Sequence, residues 1–173
     1  MSQPPANDDA ATDCDALVAT LAQTLRQQGL KLVTAESCTG GLIAAACTDL
    51  AGSSDWFERG LVSYSNEAKS ELLDVPAKLI TEHGAVSEPV VRAMAEGALR
   101  HARAQVAVAV TGVAGPGGGS AAKPVGTVWF GFSVSGRIHS EIQRFDGDRA
   151  AVRRSTVAHA LRRLQDLLGT SGH

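Results

Sequence analysis

A chain of 173 residues, 44% apolar and 20% charged, is long enough to bury its own core and leaves little room for more than one domain. A formal net charge of −2 gives no whole-chain attraction for nucleic acid. Cys14, Cys38 and Cys47, odd in number and without paired spacing, argue against a disulfide framework or a four-cysteine zinc site. No run is apolar and long enough to cross a bilayer.

Residues 1–13 are rich in Pro, Ala, Asp and Asn without periodicity, and are expected to form a disordered tail ahead of a single domain over 14–170. In residues 16–28, Leu17, Val18, Leu21 and Leu25 recur at helical spacing, and Gly29 ends the run. Residues 30–34 read as a short strand, followed by a Gly-containing turn and a helix over 42–50. Residues 60–65 read as a second strand, and Asn66 is placed to cap the next helix, which Val75-Pro76 breaks. Ser87 and Pro89 open a helix running to about Arg103. The Val/Ala run 105–111 has the look of a strand buried on both faces. A Gly-rich loop reaches Gly126, and 127–134 with 137–145 form a hairpin across Ser135-Gly136. A last helix spans 149–168. Early strand–helix alternation with a late hairpin predicts an α/β fold, a three-layer α/β/α sandwich on a mixed central sheet.

Four strings carry chemistry. In Thr34-Ala35-Glu36-Ser37-Cys38-Thr39-Gly40-Gly41 a strand hands over to a helix, which presents Ser37 near unpaired N–H groups and the positive end of a helix dipole. The plainer reading is that Ser37 or Thr39 caps the helix and the glycines pack it on the sheet. Cys38 competes as a nucleophile but reads better as a small buried residue. In Tyr64-Ser65-Asn66-Glu67-Ala68-Lys69 a lysine sits in the first turn of a helix, where the dipole disfavours a cation. It is either an ordinary exposed lysine or one with a lowered pKa, usable as a base for a serine. The loop from Thr111-Gly112 through Gly115 to Gly126 follows the most buried strand, yet lacks the spacing and helix of a triphosphate or dinucleotide loop; a phosphate cradle and a plain connection both stay open. In Asp146-Gly147-Asp148-Arg149, Asp148 is a cap candidate, and Arg149 suits an anion. No histidine sits in ligand spacing.

In this order the four strings resemble the C-terminal domain of the CinA family, closest to its stand-alone PncC-type members, the nicotinamide mononucleotide amidohydrolases. Gly52-Ser53-Ser54-Asp55-Trp56, His83-Gly84-Ala85-Val86-Ser87 and Lys123-Pro124-Val125-Gly126-Thr127 match as well. The resemblance implies hydrolysis of the carboxamide of nicotinamide mononucleotide, a step of pyridine nucleotide salvage. It implies no metal and no cofactor, and a cytoplasmic enzyme that binds neither nucleic acid nor membrane. By position it makes Ser37 the nucleophile, with Tyr64 and Lys69 as its catalytic partners, Lys69 taking the serine proton directly or through Tyr64. Glu36, Thr39, Gly40, Gly41, Thr111, Gly112, Gly115 and Arg149 become the substrate-binding residues. Trp56, Phe57 and the apolar hairpin favour a homodimer. Two rival readings remain: a non-catalytic nucleotide-binding module, and a serine amidase for another amide.

Overall fold

The computed structural model describes residues 8–170. Its first helix, α1, is Asp8–Gln28, so residues 8–13 of the expected tail are helical, while 1–7 lie outside the described residues. Periodicity marks only the stretch from Ala16 because the earlier turns carry alanine, a strong helix former that leaves no apolar stripe. At the other end Gly29 takes φ 66°, and the Leu30 N–H returns to the Leu25 carbonyl at 2.9 Å.

Among the described residues, six α-helices flank one five-stranded sheet. In chain order the elements are β1 (Leu32–Glu36), α2 (Leu42–Thr48), β2 (Phe57–Val62), α3 (Asn66–Leu73), α4 (Ala77–His83), α5 (Glu88–Arg100), β3 (Val106–Gly112), β4 (Thr127–Val134), β5 (Arg137–Arg144) and α6 (Arg149–Thr170). The strand order is β2-β1-β3-β4-β5, with β2, β1 and β3 parallel and the β4–β5 hairpin antiparallel. The expected three-layer, mixed-sheet sandwich is therefore the fold. Helix α4 was not expected; Pro76 ends one helix and stands at the N-cap of this one.

Alternation along β3 sorts the two cores. Val106, Val108 and Val110 join Leu21, Leu25, Leu161 and Leu164 of α1 and α6, while Ala107 and Ala109 join Val91 and Met94 of α5. Small side chains on the second face let α5 lie close to the sheet. Trp56 is fully buried in the first core, so it is no part of an exposed contact surface, contrary to its expected role in a dimer.

The connection from β1 to β2 runs through α2 on one face, and the return from β2 to β3 runs through α3, α4 and α5 on the other. Between β1 and β3 the winding reverses, and in such sheets the crevice beyond the strand ends collects ligands. The register pairs Glu36 with both Val62 and Val110. The residues that follow this row therefore share one edge: Ser37, then Ser63 and Tyr64, then Thr111 and Gly112 at the end of β3.

Candidate active site

Ser37 is the first residue past β1. Its N–H bonds the Val110 carbonyl of β3 at 3.1 Å, and its own carbonyl takes the Gly40 N–H at 3.0 Å. Gly41, at φ 104°, turns the chain into α2 through a conformation that side-chain-bearing residues rarely adopt. From α6, Arg153 donates to the carbonyls of Cys38 and Thr39, both at 3.2 Å. The turn is thus tied to a strand, a helix start and a distant helix.

Glu36 supplies the fourth tie. Its side chain is 1% exposed and points away from the strand-end crevice, into the start of α2. One oxygen accepts from the Thr39 hydroxyl at 2.6 Å and the Ile43 N–H at 2.8 Å; the other accepts from the Ala44 N–H at 3.0 Å and the Thr34 hydroxyl at 3.4 Å. Four donors and the helix dipole hold this carboxylate without a cation. Its expected place among the substrate contacts is corrected: the group is spent on the fold. Thr39 is fully buried against it, and Gly40 and Gly41 shape the turn rather than line the crevice.

Lys69 approaches from α3. Ser65, not Asn66, caps that helix, accepting from the Ala68 N–H at 3.0 Å. The Lys69 side chain is 1% exposed and meets no carboxylate among the described residues. Its Nζ lies 2.9 Å from Ser37 Oγ and 3.0 Å from the carbonyls of both Ser63 and Tyr64. Burial pushes its pKa below the ordinary 10.5. The three N–H groups of the ammonium match these three acceptors; once one proton is lost, two N–H groups keep the carbonyls and the lone pair faces the serine hydroxyl.

Tyr64 enters this array through its backbone. Its carbonyl accepts from Lys69 and from Ser37 Oγ at 3.4 Å, whereas its hydroxyl accepts from Arg149 Nη2 at 3.3 Å. Of the two expected routes for the serine proton, directly to Lys69 or through Tyr64, the lysine–serine contact matches the direct one, while the phenol meets Arg149. Arg149 also donates to the Gly115 carbonyl at 2.9 Å, which ties the Gly-rich loop to the start of α6. Asp148 accepts from the Ala151 N–H at 2.9 Å, so the cap and the arginine coexist.

These groups surround a cavity of about 220 Å³ whose lining includes Ser37, Tyr64, Lys69, Thr111, Gly112 and Arg149. A groove of about 560 Å³ between α1, α2 and α6 is larger, but joins no nucleophile to a base. Thr111 donates to the Ala85 carbonyl at 3.0 Å, which draws the 83–87 segment to the site. Sequence reasoning gave no site role to Asn66, Ala85 or Val86, which also line the cavity, nor to Arg153 behind it. Cys38 is 6% exposed and burial pushes its thiol up to about 11, so it carries a proton at neutral pH. No three His, Cys, Asp or Glu side chains gather as a metal site among the described residues.

The CinA C-terminal domain family matches residues 14–168. This chain belongs to that family. Among CinA-related proteins, nicotinamide-nucleotide amidohydrolase PncC of Escherichia coli (strain K12) is 55% identical over 143 residues, covering 82% of this chain and 87% of the relative. The protein of the same name from Pseudomonas putida is 54% identical over 145 residues, covering 84% and 91%. A crystal structure of a CinA superfamily protein from Klebsiella pneumoniae 700603 superposes with a TM-score of 0.88 at 40% identity, covering 91% of this chain and 98% of that one.

Proposed function

We propose that this chain hydrolyses the carboxamide of nicotinamide mononucleotide to nicotinate mononucleotide and ammonia, with Ser37 as nucleophile and Lys69 as base. The observation that carries the reading is the 2.9 Å contact between Ser37 Oγ and a buried lysine that has no counter-ion among the described residues. Neutral Lys69 takes the hydroxyl proton as Oγ bonds to the amide carbon. The N–H groups of Cys38 and Thr39, which no backbone carbonyl takes among the described residues, are the donors next in the chain after Ser37 for the oxyanion. Lys69 then passes its proton to the amide nitrogen, the C–N bond breaks, and ammonia leaves an ester on Ser37. A water gives its proton to Lys69 and attacks that ester. The acid departs as the proton returns to Oγ. Arg149 spends two N–H groups on Gly115 and Tyr64; its remaining donors and the Gly-rich loop serve the 5′-phosphate. The relatives' shared name supports the substrate, and we read the reaction as a cytoplasmic step of pyridine nucleotide salvage. Leu42 and Val62 stand 37% and 47% exposed at edge strand β2 and the start of α2 beside it, which supports a homodimer there.

The test is ammonia release from nicotinamide mononucleotide by the wild type and by Ser37→Ala. Release by the wild type and a loss of about 10³-fold or more in the variant, with an unchanged melting temperature, is the expected result. Release that survives the substitution removes Ser37 as nucleophile. A wild type that binds the nucleotide and releases nothing leaves a binding module instead.

A further inference from the structure

Among the described residues, one polar side chain of the cavity has all of its hydrogen-bonding groups unspent. Lys69 meets three acceptors, Thr111 donates to Ala85, and Tyr64 and Arg149 meet each other. Asn66 lines the same cavity and is exposed, and its side-chain amide bonds to none of the described residues. The structural task open to it, capping α3, is done by Ser65. Asn66 and Lys69 stand three residues apart on α3, on one face and with Cβ atoms about 5–6 Å apart. The free amide therefore lies one turn from the lysine that touches Ser37, at the reacting end of the cavity.

Charge narrows what this residue is for. Among the described residues, no Asp or Glu lines the cavity. A carboxylate one turn from Lys69 would favour the ammonium and work against the base. An asparagine offers an acceptor and two donors without that penalty. When the carbonyl oxygen of a bound carboxamide faces the N–H groups after Ser37, its NH₂ group points away from them and needs an acceptor.

We infer that Asn66 is a specificity and positioning residue that accepts a hydrogen bond from the substrate's carboxamide NH₂ and so orients the amide carbon toward Ser37 Oγ. The inference rests on the amidohydrolase reading above.

The test crosses enzyme and substrate. Wild type and Asn66→Ala are each given nicotinamide mononucleotide and the methyl ester of nicotinate mononucleotide. The ester would form the same acyl-enzyme but has no N–H to offer. Asn66→Ala should lower kcat/KM for the amide about five- to tenfold and leave the ester unchanged. Asn66→Ser, whose hydroxyl oxygen is a shorter acceptor, should fall between. Melting temperatures should match, because the residue is exposed and is not the cap. Equal losses on both substrates would mean that Asn66 touches the nucleotide elsewhere, and no loss on the amide would mean that it touches nothing; either overturns the inference. A wild type inert toward the amide would sink the amidohydrolase reading itself, an outcome distinct from an active wild type with equal losses.

Discussion

Two buried charges flank Ser37, and they are handled in opposite ways. Glu36 is met by four donors at the start of α2. Lys69 has two carbonyls, a serine hydroxyl and no anion, and burial lowers its pKa. Burying a charge costs several kcal/mol unless the surroundings replace water. On the Glu36 side they do, and the charge locks a turn. On the Lys69 side they do so only in part, and the unmet portion appears as a pKa below the ordinary value. One residue holds the nucleophile in place and the other removes its proton.

The hardest test of that contrast is Lys69→Met, which keeps the volume and deletes the amine. Activity should fall about 10²–10⁴-fold, the usual contribution of a general base, while the fold survives. The pH dependence has a definite sign. In the native state the lysine loses its proton below 10.5, so between the native and unfolded pKa values the unfolded chain binds more protons and stability rises with pH. Relative to Lys69→Met, the wild type should therefore be least stable below the native pKa and should gain ground as pH rises toward 10.5. Its kcat/KM should climb with pH over that same native pKa. Thermal melts of both proteins across a pH series, beside a pH–rate profile, check both signs. A gap between the two proteins that is flat with pH would mean that the lysine is not perturbed.

Glu36→Gln probes the other side, with a smaller effect on rate and a larger one on stability. Either orientation of the glutamine amide sets its NH₂ against the Ile43 or the Ala44 N–H, since each carboxylate oxygen accepts one of them. The expected cost is about 2 kcal/mol, a fall in melting temperature of about 4–8 °C. We expect kcat to drop roughly tenfold as the turn carrying Ser37 loosens, with KM little changed. A calorimetric scan beside steady-state kinetics decides it. An unchanged melting temperature would show that the carboxylate does not hold the turn.

The contrast was half legible before any coordinates. Lys69 stands in the first turn of a helix against the dipole, a misfit that left open an exposed lysine or one with a lowered pKa, and burial decides for the second. The strand–turn–helix around Ser37 and the long loop after β3 likewise read directly from Gly placement and apolar runs. Glu36 was not legible, because a carboxylate beside a nucleophile looks the same whether it faces a ligand or a helix. Its direction depends on β1 ending at Glu36 rather than at Thr34, which puts Thr34 and Glu36 on the α2 side. Tyr64 posed the same difficulty, since its residue type advertises a phenol while the site uses its carbonyl. Ser65 and Asn66 are both good caps, and only the backbone shows which one caps α3 and which one is left free.

Cys38 sharpens the comparison at its smallest effect. A thiolate is intrinsically the better nucleophile, and this sulfur sits next to Ser37 on the cavity wall. What separates the two neighbours is the lysine: Nζ lies on Ser37 Oγ, while burial holds the Cys38 thiol protonated with a pKa of about 11. Cys38→Ala should therefore keep activity within about twofold, at the modest stability cost of removing one small buried side chain. Iodoacetamide, which needs a thiolate, should leave the wild type active at neutral pH. Loss of activity in Cys38→Ala comparable to that of Ser37→Ala would move the acyl-enzyme to sulfur and leave the Lys69–Ser37 contact as a structural hydrogen bond.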